Sequence, residues 1–234
     1  MDLLIDSCRA ALILLASGDE ELMKIVFCSL RVSGAATVIA AILGLPLGLL
    51  IAFTVFPGKR LTLTVLNTLL AMPTVVIGLL VYAFISRRGI LGFLDMLYTQ
   101  EAMIVGQVVL IVPVIATMVI AAISRLDRRY QATALTLGAD RLQMAWMVVV
   151  EARYAVIAAI IAAFGRVIAE IGISMMLGGN AKGFTRTMTT AMALEYDKGE
   201  FVLAVALGMV LLGLAFALNL LFQLFQGRVA SDAL

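Results

Sequence analysis

The chain has 234 residues, is 63% hydrophobic and only 14% charged, and has a mean hydropathy of +1.11, which excludes a water-soluble domain and defines an integral membrane protein. Its 17 basic and 15 acidic residues leave a formal charge of +2, so no charge argument points to nucleic acid or to strong binding at a membrane surface. Histidine is absent, which removes the commonest metal ligand and proton shuttle.

The expected fold class is all-α, with about five transmembrane helices behind an amphipathic N-terminal lead-in at residues 1–20. A cleavable signal peptide is not expected, because Asp2 and Asp6 stand where a basic segment belongs and the apolar run at 10–16 is short. Cys8 and Cys28 lack ligand spacing and read as small apolar residues. A bilayer core of ~30 Å needs ~20 apolar residues in a helix. The charge-free stretches 32–58, 61–86, 102–124 and 201–227 meet that length. A fifth, 154–177, is as apolar but carries Arg166 and Glu170.

The first span is expected to begin before Val32, since residues 22–30 are already apolar, with Arg31 snorkelling or facing a partner. Gly44 and Gly48 flank Pro46 in a GxxxG pattern, which permits close helix approach and leaves a dimer face open as one use. FPGKR at 56–60 is a tight basic turn. Pro73 and Pro113 are each expected to bend a span and to free a backbone carbonyl.

Arg166 and Glu170 are four residues apart, which places them on one face of a continuous helix and lets them neutralise each other. Two readings stay open there. One is a structural ion pair; the other is a face lining a water-filled route at an oligomer axis, with Arg166 available to an anion and Ser174 one turn further on. Outside the spans, Arg87, Arg88, Lys182 and Arg186, with Thr185, Thr187, Thr189 and Thr190, would attract a small oxyanion. Glu195, Asp197 and Glu200 partly cancel that field, and a solvated loop of ordinary charge is the other account.

The longest charge-bearing segment between two membrane-length runs is 125–153. It reads as two helices around a turn, with Gly138 suited to a left-handed cap and Asp140 and Gln143 at capping-box spacing. Such a knob projecting from a membrane is a docking shape. The short basic segments FPGKR and RLDRR lie directly against spans, so the Lys/Arg rule puts this knob inside, the N-terminus outside and the C-terminus in the cytoplasm. Hydrolytic chemistry within the membrane is excluded, because no span holds Asp or His and Glu170 is the one acid in a span. GxxxxGK[ST] is absent too, so the chain has no phosphate loop of its own.

QATALTLGADRLQMAWMVVVEAR and the helix after it resemble the cytoplasmic EAA loop of bacterial ABC importer permeases, particularly those for molybdate, tungstate and sulfate. In that pattern EAA is followed by three residues, a glycine, nine residues and IxLP. Ala134 and Gly138 match; Ala132 stands in place of the acid, Thr133 in place of the first alanine, and the closing motif falls on Val148, Val149, Val150 and Glu151. The similarity covers roughly 21–226, including SLRVS, FPGK, SRRG and AFGRVIAEIG, and residues 178–201 look most like tungstate-type permeases.

The resemblance implies a type I ABC importer permease domain at 21–226 with a C-terminal tail at 227–234, in a bacterial or archaeal cytoplasmic (inner) membrane. It implies a homodimer sharing one path, two copies of an ATP-binding subunit that hold ATP and magnesium, and an extracytoplasmic oxyanion-binding protein. It places ATPase coupling on Arg128, Arg129, Ala132, Thr133, Ala134, Gly138, Ala139 and Asp140. No cofactor is expected on this chain itself, and no catalytic residue or metal site. The rival from another class is a stand-alone secondary anion transporter, for which Glu170 would be the coupling acid.

Overall fold

The computed structural model describes residues 9–10, 12–13, 16–127, 129, 133–134 and 136–231, among which every regular element is helical. Asp2, Asp6 and Cys8 of the lead-in, Arg128 and Ala132 of the coupling segment, and the last three residues of the tail lie outside the described residues. The helices are α1 (Glu20–Phe53), α2 (Lys59–Leu70), α3 (Thr74–Ile85), α4 (Gln100–Ser124), α5 (Arg141–Glu151), α6 (Arg153–Ile168), α7 (Gly172–Gly178), α8 (Met188–Lys198) and α9 (Phe201–Ser231).

α1 starts well ahead of Val32, as its sequence implies. Asp19 caps it by accepting the Leu22 N–H at 2.9 Å, and Glu20 and Glu21 complement the positive end of the helix dipole. At its other end the basic turn supplies the cap: Lys59 Nζ donates to the carbonyls of Ala52 (3.1 Å) and Thr54 (3.0 Å). Gly58, at φ 90°, gives the chain the left-handed turn that brings Lys59 back.

α1, α4 and α9 are each long and apolar enough to cross a bilayer alone, and two bent helix pairs bring the number of spans to as many as five. The expected second span is one of these pairs: α2 and α3 meet at 102°, far beyond a kink. Pro73 has no N–H for a continuing helix and disfavours α geometry at Met72, so the chain stops and restarts, with Pro73 as N-cap of α3. Pro46 and Pro113 behave differently, for α1 and α4 run through them unbroken. The expected fifth span is also interrupted, since α6 ends at Ile168 and α7 begins only at Gly172.

The main packing unit is α1 against α4, with α2, α3, α6 and α7 laid around α4. Its core joins Val32, Ala36 and Ala40 of α1 to Met103, Leu110, Ile111 and Ile115 of α4 and to Ile173 and Leu177 of α7. A smaller cluster ties Leu22 and Ile25 to Ile168, Met188, Ala191, Ala206 and Leu207. The GxxxG pair serves this internal contact. A Cβ on Gly44 would lie 3.0 Å from Ile115 Cβ, and one on Gly48 would lie 2.9 Å from the Ala116 carbonyl oxygen.

Gly48→Val is therefore expected to force α1 and α4 apart and to destabilise the fold by roughly 1–3 kcal/mol, the usual scale of overpacking. Thermal unfolding of the detergent-solubilised chain checks it, with Gly34→Ala as the neutral reference, because nothing lies within 4 Å of a Cβ there.

Candidate functional site

Three polar regions stand out on this apolar frame. The first is the turn before α5. Leu137 N–H bonds to Thr133 O and Ala139 N–H to Ala134 O, both at 3.0 Å, closing a helix end around Gly138 at φ 85°. Asp140 then opens α5 with a full capping box: it accepts the Gln143 N–H at 2.7 Å while its own N–H donates to Gln143 Oε1 at 3.0 Å. The turn is thus locked from both sides, as its local chemistry implies.

Thr133, Gly138 and Asp140 are exposed, Ala139 is half-buried, and Ala134 is buried beneath them. Leu137 and Leu142, on either side of the turn, are each 82% exposed. Arg129 is bound to its neighbour Asp127, through a 2.9 Å backbone bond and a 3.8 Å ion pair at the surface. A Cβ at Gly138 would meet nothing within 4 Å, so the requirement for glycine is backbone sign, not space.

The second region is the break between α6 and α7, which overturns the pairing of Arg166 with Glu170. α6 terminates before it can place Glu170 one turn above Arg166. Glu170 instead turns inward, 7% exposed, where its Oε1 accepts the Ile173 N–H at 3.1 Å and its carbonyl accepts from Thr189 Oγ1 at 2.8 Å. Arg166 stays on the exposed side of α6.

Ser174, the third residue expected on this route, is fully buried and accepts from Gln107 Nε2 at 3.4 Å. Gln107, 1% exposed in the middle of α4, is the residue that sequence reasoning missed, and its Oε1 has no partner among the described residues. The signal for it was present: it is the one side-chain amide in the run 102–124.

The third region is the polar end formed by the start of α1, residues 179–187 and α8. Here the expected oxyanion-attracting loop is mostly occupied by its own structure. Thr187 and Thr190 form a capping box on α8, Thr185 Oγ1 bonds to Gly178 O, and Thr189 bonds to Glu170 O. Arg186, with a side chain only 10% exposed, lies 3.6 Å from Glu21 and 3.8 Å from Glu195, and Lys182 pairs with Glu21 at 2.7 Å. Glu195 also receives Lys198 at 2.9 Å. Arg87 is not part of this group and pairs with Asp95 at the surface. A mixed-charge cleft of about 370 Å³ opens beside Glu21, Lys24, Lys182 and Arg186.

Among the described residues no group of three or more His, Cys, Asp or Glu could hold a metal ion. What remains is a bundle with a polar break at mid-span and a rigid turn projecting from one end, the build of a multi-pass membrane permease. The chain belongs to the family of binding-protein-dependent transport system inner membrane components, which matches residues 44–231, and it is a permease subunit of an ABC importer. It is 37% identical over 226 residues to the tungstate uptake system permease protein TupB of Peptoclostridium acidaminophilum, covering 97% of this chain and 99% of that one. It is 39% identical to a probable anion ABC transporter permease protein of Haloferax volcanii, over 88% of this chain and 91% of that one.

Permeases of molybdenum and sulfate transport systems match at lower identity. In fold the chain superposes on a chain of the inward-facing MetNI methionine ABC transporter with a TM-score of 0.71 at 19% identity, over 89% of this chain and 95% of that one. The expected type I importer permease architecture is therefore the one observed.

Because Glu170 caps α7 rather than pairing with Arg166, Glu170→Gln is expected to leave assembly intact, whereas Glu170→Ala leaves a buried N–H unpaired at a cost of about 1–3 kcal/mol. Unfolding of the two variants side by side separates these outcomes. At the polar end, Arg186→Leu is expected to destabilise by less than the ~3–5 kcal/mol of a buried pair broken outright, since Lys198 still faces Glu195. Adding Glu195→Leu should recover part of that loss in the same assay.

Proposed function

We propose that the chain forms the translocation path of an ATP-driven importer for a tetrahedral oxyanion, tungstate first and molybdate or sulfate next. The observation that carries this reading is the end-to-end similarity to a tungstate permease. Two copies of the chain enclose one path, with Arg166 on the face that lines it. An extracytoplasmic oxyanion-binding protein delivers the anion, and two ATP-binding subunits, which hold ATP and magnesium, dock on the cytoplasmic turn. The N-terminus lies outside and the C-terminal tail in the cytoplasm.

Coupling rests on the 129–140 segment, including Thr133, Ala134, Gly138, Ala139 and Asp140, with Arg128 and Ala132 assigned by the family pattern. The exposed Leu137 supplies an apolar contact, and the caps on both sides of Gly138 make the turn stiff enough to pass rigid-body motion to α6. A secondary transporter would need a titrating acid open to the path, and Glu170 is engaged as an internal cap.

The test is tungstate uptake and tungstate-stimulated ATP hydrolysis by the chain reconstituted with its ATPase subunit and receptor protein. Gly138→Asn, which tolerates positive φ, should keep most of the coupling, whereas Gly138→Val should abolish it while leaving membrane insertion unchanged. Full coupling in Gly138→Val, or uptake in vesicles lacking any ATPase, overturns the reading.

A further inference from the structure

α5 has two apolar sides. One is internal: Val148 is fully buried and shares a core with Ile123 at the inner end of α4. On the other side Leu142, Trp146 and Val150 recur at every fourth residue, which aligns them in one stripe along the helix. They are 82%, 70% and 41% exposed. No carboxylate interrupts the stripe, because Glu151 lies about 100° around the helix from Val150.

Three observations identify what covers it. α5 meets α6 at 72° across Ala152, so an α6 that crosses the bilayer lays α5 nearly along its surface. A tryptophan in the centre of an apolar stripe suits that boundary, where the ring is buried and the indole N–H stays wet. At the elbow the Arg153 guanidinium sits 4.5 Å over the Tyr154 ring and donates to Val150 O at 2.9 Å, setting a cation and a phenol at the same level. Area argues the same way. Three side chains offer far less than the ~1,200–2,000 Å² that a stable protein interface buries, whereas an interfacial helix needs only to sink its apolar side ~5–10 Å into the headgroup and acyl boundary.

We propose that the Leu142–Trp146–Val150 stripe is embedded in the interfacial layer of the bilayer, so that lipid forms one bearing surface of the helix that follows the Gly138 turn. This goes beyond the coupling reading and does not depend on it, since it concerns a contact with lipid rather than with the ATPase.

Trp146 is the single tryptophan, so its fluorescence reports this stripe alone. The full chain is reconstituted into phosphatidylcholine–phosphatidylglycerol vesicles that carry bromine either near the head or near the end of the acyl chain. With and without the ATPase subunit, shallow bromine is expected to quench Trp146 at least about two-fold more than deep bromine, as the ~5–10 Å depth of such helices requires, and iodide in the water to quench little. In the W146F/E151W variant the reporter moves about 140° off the stripe and is expected to become accessible to iodide. Quenching of Trp146 by iodide but not by bromine overturns the proposal. So does bromine quenching that vanishes when the ATPase subunit binds, or that falls as protein density rises, since these assign the stripe to that subunit or to a second copy. Equal bromine quenching of both reporters overturns it as well.

Discussion

The contact of α1 with α4 is the constraint on which the remainder of the structure depends. In lipid no hydrophobic force draws two apolar helices together, so association rests on van der Waals contact and on how closely backbones approach. α1 meets this with small residues at the contact, Ala36, Ala40, Gly44 and Gly48, and with further small buried residues, Ser29, Ser33 and Thr37, along its length. Two of those hydroxyls are satisfied by their own helix: Ser29 donates to Ile25 O at 3.0 Å and Thr37 to Ser33 O at 2.7 Å. With α1 fixed on one side, α4 offers its other sides to α2, α3, α6 and α7.

Around that pair the polar groups follow a second constraint, that backbone at membrane depth must find its partners inside the protein. The break at 169–171 is tolerable because Glu170 and Thr189 satisfy the groups it frees. The return of the chain into α8 is secured in the same way, with Ser29 accepting the Met188 N–H at 2.7 Å and Thr187 and Thr190 capping each other. Hydroxyls that in isolation resemble ligands for an oxyanion are here the means by which an irregular segment is held against apolar helices.

What the sequence made legible follows from the range of the interactions involved. Apolar run length marked the three single-helix spans α1, α4 and α9, and local chemistry marked the Gly138 turn and the Asp140–Gln143 capping box, because each is decided by the chain's own neighbouring residues. The i,i+4 reasoning for Arg166 and Glu170 failed for an identifiable reason: it assumes the helix continues, and Ile168, Ala169 and Ile171 carry no breaking signal. The groups packed at the break, Thr189 of α8 and Thr74 and Val75 of α3, are distant in sequence. Pro73 was visible, but a 102° turn rather than a bend depends on where α2 packs against α4. Gln107 escaped attention because its partner, Ser174, is brought to it only by the fold.

Separating Arg166 from Glu170 changes what the exposed face of α6 must be. An ion pair would have been neutral and could have faced lipid at modest cost. Instead the carboxylate is turned inward, and Arg166 has no acidic partner within 4.0 Å among the described residues. An arginine in the middle of a span costs at least about 2.5–3.5 kcal/mol against hydrocarbon. That cost is avoided where the exposed Arg166 meets water or protein in place of acyl chains. The exposed Leu212 and Phe216 of α9 are apolar and suit acyl chains, as an exposed arginine does not.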